Sequence, residues 1–404
     1  MTATERFLRY VKFDTQSDED SGLSPSTDKQ KIFGNVLVQE LKTLGLENPY
    51  IDDYGYVYAW LPASKGCENL PCTGLIAHMD TSPSAPGADI NPKIIRYEGG
   101  DIILNKEKNI ITYAKDFEKL EKYKGQELIV TDGTTLLGAD DKAGIAEIMS
   151  AMEFFVSNPE IKHPKIAVAF TPDEEIGQGS DFFDIQAFGA SAAYTVDGDE
   201  LGTIEYENFN AADAVINIRG VGIHPGSAKN KMKNASLIAT EFITMLPPEQ
   251  TPSHTEGYEG FYHLENICGD VNFARLRYII RDHNAGKFTA RKNFFEQITD
   301  FINKKYGDGT AELSINDSYR NMKEMIEPHI YLIEKAKKAM EALNIEPEIV
   351  PIRGGTDGAQ LSYRGLPCPN LCTGGLYFHG VHEFIPTSAL ETMTRVLVEL
   401  TKAI

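Results

Sequence analysis

A histidine and an aspartate stand two residues apart where an apolar run ends, in Gly74-Leu-Ile-Ala-His78-Met-Asp80. Residues two apart on a strand point to the same side of the sheet. An imidazole with a carboxylate beside it suits a zinc ion, because the carboxylate can orient the ligand and tune its basicity. Taken alone, the pair is equally consistent with a solvated and inert strand end.

Two further motifs are rich in carboxylates. Asp140 and Asp141 open a helix, where capping and the helix dipole alone would explain them. Asp173-Glu174-Glu175 follows a buried-type strand, and three adjacent acidic residues repel one another unless cations or protons relieve them. One carboxylate can bind a metal ion while its neighbour stays free as a general base. A solvated acidic turn is the alternative.

Two more candidate ligands stand apart from these motifs. Asp197 follows the apolar run 193–196, and His379 follows Gly374-Gly-Leu-Tyr-Phe. Four of the five candidates lie at or just beyond the carboxyl ends of apolar strands, where open α/β sheets bind their ligands. Two histidines with Asp and Glu carboxylates favour zinc, with cobalt or manganese as chemical substitutes. The five candidates are His78, Asp140, Glu175, Asp197 and His379.

The elements that must position these residues alternate between apolar strands and amphipathic helices. This alternation predicts an α/β fold with a largely buried sheet. Residues 84–130 mix Gly, Pro, Lys and Glu with short β-like runs, and we assign them outside the main sheet. The principal predicted elements are helices over 28–44 and from residue 140 on, and strands over 56–61, 73–77, 166–170 and 192–196.

The order of the predicted elements changes near residue 210, where it becomes β-α-β-β-α-β. This order is that of a ferredoxin-like fold. The simplest division is a discontinuous larger domain at 1–209 and 321–404 with an inserted α+β domain at 210–320. The larger domain then resumes with a helix at about 328–343, a strand at 348–352, a Gly-rich loop at 353–358, a strand near 369–373 and a helix at 387–402.

Charge and composition exclude several classes of partner. The chain has 404 residues and a net charge of −20, from 39 basic and 59 acidic residues. We therefore expect neither nucleic acid nor an anionic membrane as a partner. No stretch approaches the roughly 18 apolar residues that a membrane span needs. Five cysteines without CxxC spacing favour free thiols in a reducing compartment, so the expected location is the cytoplasm.

Together these motifs resemble the co-catalytic zinc peptidases of the M20 family, in the right order and over essentially the whole chain. The segment Gly220-Val-Gly-Ile-His224-Pro-Gly and the overall length are similar to the tripeptide aminopeptidases of that family. The resemblance implies a catalytic domain with a mixed sheet between helices and an inserted ferredoxin-like lid. The matching motifs are His78-Met-Asp80, Gly138-Ala-Asp140-Asp141-Lys-Ala-Gly144, Asp173-Glu174-Glu175-Ile-Gly177, Val196-Asp197-Gly198 and His379.

The resemblance implies two zinc ions per subunit that share one bridging carboxylate. The first ion would be bound by His78, Asp140 and Asp197. The second would be bound by Asp140, Glu175 and His379. The peptide bond that follows Asp140 is expected to be cis.

Three residues are assigned to catalysis by the same resemblance. Asp80 would orient His78, and Glu174 would be the general base that takes a proton from water and returns it to the leaving amine. His224 lies in a turn-rich loop of the inserted domain and would stabilise the tetrahedral intermediate, often from the lid of the partner subunit. A surface loop histidine is the alternative for His224.

Candidate residues for substrate binding carry less specific signals. Arg281 and Arg353 can hold a substrate carboxylate as bidentate clamps, or each can form a structural ion pair. Asp357, in a Gly-Gly-Thr-Asp-Gly loop, can receive a free α-amino group. The same loop can also present backbone N–H groups to the substrate.

The expected activity is removal of the N-terminal residue from tripeptides. A dipeptidase or an N-acyl amino-acid deacylase would use the same metals and base, so the metal motifs do not distinguish these activities. A non-catalytic metal-binding protein would not need a general base, and Glu174 beside a complete ligand set argues against one. We expect small peptides as substrates and a homodimer formed through the inserted domain.

Overall fold

Apolar strands alternate with amphipathic helices in the computed structural model, which describes residues 1–403. The strands are, in chain order, β1 (Glu47–Ile51), β2 (Val57–Leu61), β3 (Thr73–His78), β4 (Lys93–Arg96), β5 (Ile102–Asn105), β6 (Ile110–Thr112), β7 (Glu127–Val130), β8 (Ile166–Thr171), β9 (Ala192–Gly198), β10 (Thr203–Glu205), β11 (Asn210–Arg219), β12 (Phe261–Gly269), β13 (Phe273–Asp282), β14 (Ala311–Tyr319), β15 (Glu348–Ile349), β16 (Asn370–Cys372) and β17 (Ile385–Pro386). The helices are α1 (Ala3–Tyr10), α2 (Asp28–Leu44), α3 (Ala139–Ser157), α4 (Ile185–Phe188), α5 (Ala235–Thr244), α6 (Ala285–Tyr306), α7 (Lys323–Ile326), α8 (Tyr331–Glu341), α9 (Asp357–Tyr363) and α10 (Thr387–Thr401). Within residues 1–403, none of these helices combines the length and the apolar character needed to cross a bilayer.

The chain divides into two units that each have their own internal packing. Unit 1 comprises Met1–Tyr206, Glu324–Val350 and the residues from Thr356 on. Unit 2 comprises Glu207–Lys323 and the short segment Pro351–Gly355.

Unit 1 is built around an eight-stranded mixed sheet in the order β1-β2-β8-β3-β9-β16-β10-β15. The central strand β3 pairs in parallel with both β8 and β9, whereas β1, β2 and β8 pair antiparallel toward one edge. β2 and β8 are buried along their whole length, as expected for strands covered on both faces. The predicted α/β fold with a mixed sheet is confirmed.

Local sequence signals explain where the flanking helices begin and end. Thr2 and Glu5 form a reciprocal capping box at the start of α1. Gly45, with φ of +84°, ends α2 at the predicted position, because glycine adopts the left-handed conformation without strain. Helix α3 packs against β3 and β9, and α1 and α10 pack against α3. These contacts fix α3, whose first residues include the candidate ligand Asp140, next to the strand that ends in His78.

Unit 2 has the predicted β-α-β-β-α-β order, formed by β11, α5, β12, β13, α6 and β14. Its four strands form an antiparallel sheet in the order β12-β13-β11-β14, with α5 and α6 packed against it. Alternate residues of the inner strands are buried, including Ile216, Ile218, Leu276 and Tyr278. The helices therefore cover one face of this sheet, as in a ferredoxin-like fold.

Residues 84–130 lie outside the central sheet, as expected. β4 and β7 join β17 in a three-stranded sheet, and β5 pairs with β6 in a hairpin. Leu128 of β7 and Tyr123 pack in one apolar cluster with Leu376 and Phe384. This excursion therefore supports the late segment of the chain that carries His379.

Three elements differ from the predicted bounds. The strand expected over 348–352 contains only two residues, Glu348–Ile349, although the N–H groups of Val350 and Ile352 still donate to Ile204 and Glu207. The helix expected from residue 328 begins as a separate turn at Glu327–His329, where Pro328 occupies the first turn. The Gly-rich loop expected to end at 358 gives way to α9 at Asp357, after Thr356 in an extended conformation.

Candidate active site

His78 is the last residue of β3 and pairs with Thr171 of β8 in parallel register. Its Nδ1 lies 3.1 Å from the backbone oxygen of Asp80 and 3.3 Å from the Asp80 carboxylate. The His78 backbone N–H donates a hydrogen bond of 3.0 Å to Asp141 Oδ2. These contacts hold a ring that is only 2% exposed and leave Nε2 as the nitrogen that faces the other candidate ligands.

The Asp140 carboxylate lies between the two candidate imidazoles. Asp140 Oδ1 is 2.7 Å from His78 Nε2, and Asp140 Oδ2 is 2.9 Å from His379 Nε2. Each oxygen thus faces one ring, which is the arrangement that a bridging carboxylate requires. The peptide bond between Asp140 and Asp141 is cis, as the resemblance implies.

The remaining two candidate ligands complete the cluster. Glu175 Oε2 lies 2.9 Å from His379 Nε2, and Asp197 Oδ1 lies 3.3 Å from His78 Nε2. The structure therefore brings all five candidate ligands together in unit 1. Two groups have ligand atoms that all lie within 4.8 Å of one another: His78, Asp140 and Glu175, and His78, Asp141 and Asp197.

Burial raises the pKa of several carboxylates in this cluster. It raises the pKa of Asp197 to about 8 and that of Glu175 to about 7, with the negative charge of Asp140 acting in the same direction. Burial, reinforced by Asp197, also holds the pKa of Glu174 well above its usual range. The carboxylates are crowded in a site where negative charge is costly.

Positive charge in the cluster comes from the imidazoles. Burial lowers the pKa of His78, but the nearby carboxylates outweigh it and raise that pKa well above its usual range. Hydrogen bonds to Asp140 and Glu175 raise the pKa of His379 to about 11. For Asp140, the hydrogen bonds with both rings outweigh burial and lower its pKa below the usual range. Positive charge close to these carboxylates therefore stabilises their ionised forms.

The donor set fits a pair of divalent metal ions. Two imidazoles with Asp and Glu carboxylates are ligands that zinc takes readily. Glu175 Oε1 is buried and has no hydrogen-bond partner among the described residues, so it is an acceptor that a cation would satisfy. Divalent ions would also relieve the repulsion that raises the carboxylate pKa values.

Glu174 and Glu175 lie on a short turn at Glu174–Ile176 that follows β8. Asp80 accepts the backbone N–H of Glu174 at 3.0 Å and that of Glu175 at 3.1 Å. Asp173, with φ of +56°, accepts the backbone N–H of Ser26 at 2.7 Å. The two glutamates are therefore fixed from both sides, and Asp80 contacts both this turn and His78.

His224 lies in unit 2 and is exposed at the start of a turn over Pro225–Ser227. Its Nδ1 accepts the backbone N–H of Gly226 at 3.1 Å. A neutral His224 therefore carries its hydrogen on Nε2, which leaves that nitrogen as a donor.

The two candidate arginines of unit 2 differ in how their donors are used. Both terminal nitrogens of Arg353 donate to a surface turn, to the backbone oxygens of Gly257, Glu259 and Thr255. Arg281 donates from one terminal nitrogen to the backbone oxygen of Arg353 at 3.1 Å, and its buried Nε has no partner in the described residues. Fewer of the donors of Arg281 than of Arg353 are therefore used within unit 2.

Asp357 begins α9 and is buried. Its Oδ2 accepts a hydrogen bond of 2.8 Å from the hydroxyl of Thr171, the last residue of β8. Burial raises the pKa of Asp357 to about 7. Gly179 packs so closely over this carboxylate that a Cβ there would lie 2.4 Å from both of its oxygens.

Sequence reasoning gave no role to three buried carboxylates that organise the site. Asp141 accepts the N–H of His78, Asp173 anchors the turn of the two glutamates, and Glu383 accepts backbone N–H groups at the start of α3. Asp141 and Asp173 adjoin candidate residues, and that adjacency was the available signal. For Glu383, the only signal in the sequence was its position four residues after His379.

Known proteins share the fold and much of the sequence of this chain. Residues 206–310 match a family described as the M20 peptidase dimerisation domain. The crystal structure of aminopeptidase PepT from Bacillus cereus superposes with a TM-score of 0.78 at 24% identity, covering 99% of this chain and 97% of that one. A dinuclear metal binding peptidase of the M20 family from Bacillus subtilis superposes with a TM-score of 0.65 at 14% identity, covering 98% and 96%. The chain therefore has the fold of the M20 peptidases.

A closer relative specifies the family further. Peptidase T of Clostridium acetobutylicum is 54% identical over 397 residues, which cover 98% of this chain and 97% of that protein. The chain belongs to the peptidase T family. The family resemblance drawn from the five motifs is thereby confirmed.

Proposed function

We propose that this chain is a two-metal aminopeptidase that removes the N-terminal residue from tripeptides. The observation that carries the proposal is the Asp140 carboxylate, which presents one oxygen to His78 and the other to His379 at 2.7 and 2.9 Å. A single carboxylate between two imidazoles suits a pair of ions rather than one. Membership of the peptidase T family and the likeness to an aminopeptidase support the choice of substrate.

The proposed ligand sets share Asp140. One ion would be held by His78, Asp140 and Asp197, and the other by Asp140, Glu175 and His379. Zinc suits this donor set, and cobalt or manganese are chemical substitutes. When bound, the pair would supply an activated water and an electrophile for the peptide carbonyl.

Glu174 is the proposed general base. The water oxygen attacks the carbonyl carbon of the first peptide bond, and a Glu174 carboxylate oxygen takes the proton that the water loses. When the C–N bond breaks, Glu174 returns this proton to the leaving nitrogen. Burial holds the pKa of Glu174 well above its usual range, and bound divalent ions would favour the ionised carboxylate that accepts the proton. Asp80 fixes the Glu174 backbone at 3.0 Å, so the base is held in place.

His224 is the proposed donor to the oxygen of the tetrahedral intermediate, from the lid of the partner subunit. Its Nε2 carries the available hydrogen because Nδ1 accepts from Gly226. An exposed loop position is compatible with a residue that must reach a separate site. A donor aimed at developing negative charge typically contributes about 10²–10³-fold to kcat.

For substrate binding, we propose Arg281 as the group that binds the peptide carboxylate. Its free donors suit a planar anion, and Arg353 supports it through the hydrogen bond between them. Asp357 is the proposed partner of the free α-amino group, since a carboxylate attracts an ammonium.

Unit 2, predicted from the sequence as a domain at 210–320, is the proposed lid and homodimer interface. The match to a peptidase dimerisation domain over 206–310 supports this role. Light scattering should give twice the chain mass in solution, and a monomer at all concentrations would exclude the dimer.

We propose a cytoplasmic location because the five cysteines are free thiols, three of which are buried.

A panel of four substrates tests the function. The purified protein should release leucine rapidly from Leu-Gly-Gly and much more slowly from Leu-Gly and Leu-Gly-Gly-Gly, with free leucine measured by mass spectrometry. Preference for Leu-Gly would indicate a dipeptidase instead. Release of acetate from N-acetyl-ornithine without release of leucine would defeat the proposal in favour of a deacylase.

A further inference from the structure

Glu383 is a buried carboxylate that accepts hydrogen bonds from four consecutive backbone N–H groups. Its Oε2 accepts from Leu137 at 2.7 Å and from Gly138 at 2.9 Å. Its Oε1 accepts from Ala139 at 2.6 Å and from Asp140 at 3.3 Å. The residue is only 2% exposed, so water has little access to replace these bonds.

These four N–H groups belong to the segment that enters α3. Gly138 has φ of +77° and Asp140 has ψ of 104°, so the backbone is not helical at these two residues. Backbone donors at a helix start have no partner within the helix, and buried ones must find another acceptor. A carboxylate is a strong acceptor because its charge assists each bond. Glu383 therefore fixes the backbone that presents Asp140 to the site.

Glu383 also belongs to the loop that carries His379. Leu376 and Phe384 exchange two backbone hydrogen bonds of 2.9 and 3.1 Å and close this loop. The side chain of His379 is 48% exposed, so its position depends on the loop rather than on burial. Glu383 adjoins the closing pair, and it thereby connects the loop of His379 to the backbone of Asp140.

We propose that Glu383 is a positioning residue for the metal site. It acts through Asp140, whose two oxygens face both imidazoles only while its backbone is held relative to the His379 loop. This role rests on the two-metal function proposed above. Removing an outer residue that orients a metal ligand typically costs about 10–100-fold in metal affinity or activity.

The test measures metal affinity directly. Wild-type protein and Glu383→Gln are stripped of metal and titrated with Zn²⁺ against a chromophoric chelator. The Gln side chain keeps an acceptor for two of the N–H groups but turns its own NH₂ group toward the other two. We expect Zn²⁺ affinity to fall about 10–100-fold. At saturating Zn²⁺, kcat should remain lowered while KM stays near the wild-type value.

Glu147→Gln is the matched control, because Glu147 is also a fully buried carboxylate, on α3, and should leave Zn²⁺ affinity unchanged. Wild-type Zn²⁺ affinity in folded E383Q would overturn the proposal, even if its thermal stability were lower. If E383Q does not fold, Glu383→Asp takes its place. This variant keeps the charge but shortens the reach, and unchanged affinity there would also overturn the proposal. Wild-type protein that binds no Zn²⁺ would instead contradict the two-metal function itself.

Discussion

The candidate functional residues of the two units differ in charge and in how firmly they are held. In unit 1 they are mostly carboxylates, and Asp80, Asp141 and Glu383 fix the backbone that carries them. In unit 2 they include His224 on an exposed turn and Arg281, whose Nε has no hydrogen-bond partner among the described residues. On the function proposed above, proton transfer and binding of the α-amino group belong to the acidic site of unit 1. Stabilisation of the intermediate and binding of the peptide carboxylate belong to the basic groups of unit 2.

Replacing Glu174 with Gln should have the largest effect. Gln cannot accept the proton of the water, so kcat on Leu-Gly-Gly should fall about 10²–10⁴-fold. Zinc content, measured by mass spectrometry, should stay at the wild-type value because Glu174 is not a proposed ligand. Glu160→Gln, an exposed position of unit 1, serves as the control. Retained activity in E174Q would show that another group is the base.

His224→Ala should have the second-largest effect. Loss of one donor to the developing oxyanion should lower kcat about 10²–10³-fold, with KM little changed. Lys229→Ala lies on an exposed part of the same loop and should behave like wild type. Equal and small effects of both changes would place His224 outside the reaction and leave unit 2 without a catalytic group.

A smaller effect is expected for Arg281→Ala. A hydrogen bond to a charged group is worth about 1.5–3 kcal/mol, so KM for the tripeptide should rise roughly 10–100-fold. A tripeptide with an amidated C-terminus should show little difference between the variant and wild type. If the amide and the acid respond alike, Arg281 does not bind the carboxylate.

Residues at strand ends could be predicted from the sequence, whereas contacts that depend on tertiary packing could not. The clustering of the candidate ligands could be predicted because strand ends converge at one edge of a sheet, so His78, Glu175 and Asp197 had to lie close together. The order of elements in unit 2 was likewise readable from periodicity. Glu383 was missed because its four partners are backbone groups far away in sequence, brought near only by tertiary packing. The free donors of Arg281 were invisible for the same reason.

The smallest effect concerns stability rather than activity. Burial, followed by repulsion from Glu391, holds the pKa of Glu147 well above its usual range. The folded chain then keeps a proton that the unfolded chain releases above about pH 4.3, so this residue makes stability fall as pH rises from there.

Glu147→Gln removes this titration. Its free energy of unfolding in urea should therefore change less between about pH 5 and pH 8 than that of wild type. The difference should be about 1.4 kcal/mol for each unit of pKa difference that falls within that range. Parallel pH profiles for the two proteins would mean that Glu147 is ionised in the folded chain, and that unit 1 tolerates an unpaired buried charge away from the metal cluster.

The most direct test of the central claim is a reconstitution with zinc. Metal-stripped protein receives Zn²⁺ in steps, and the rate of leucine release from Leu-Gly-Gly is measured after each addition. A site in which Asp140 bridges two ions predicts that activity and bound zinc both reach their plateau at two equivalents per chain. Full activity without metal, or zinc binding that saturates at one equivalent, would contradict the account.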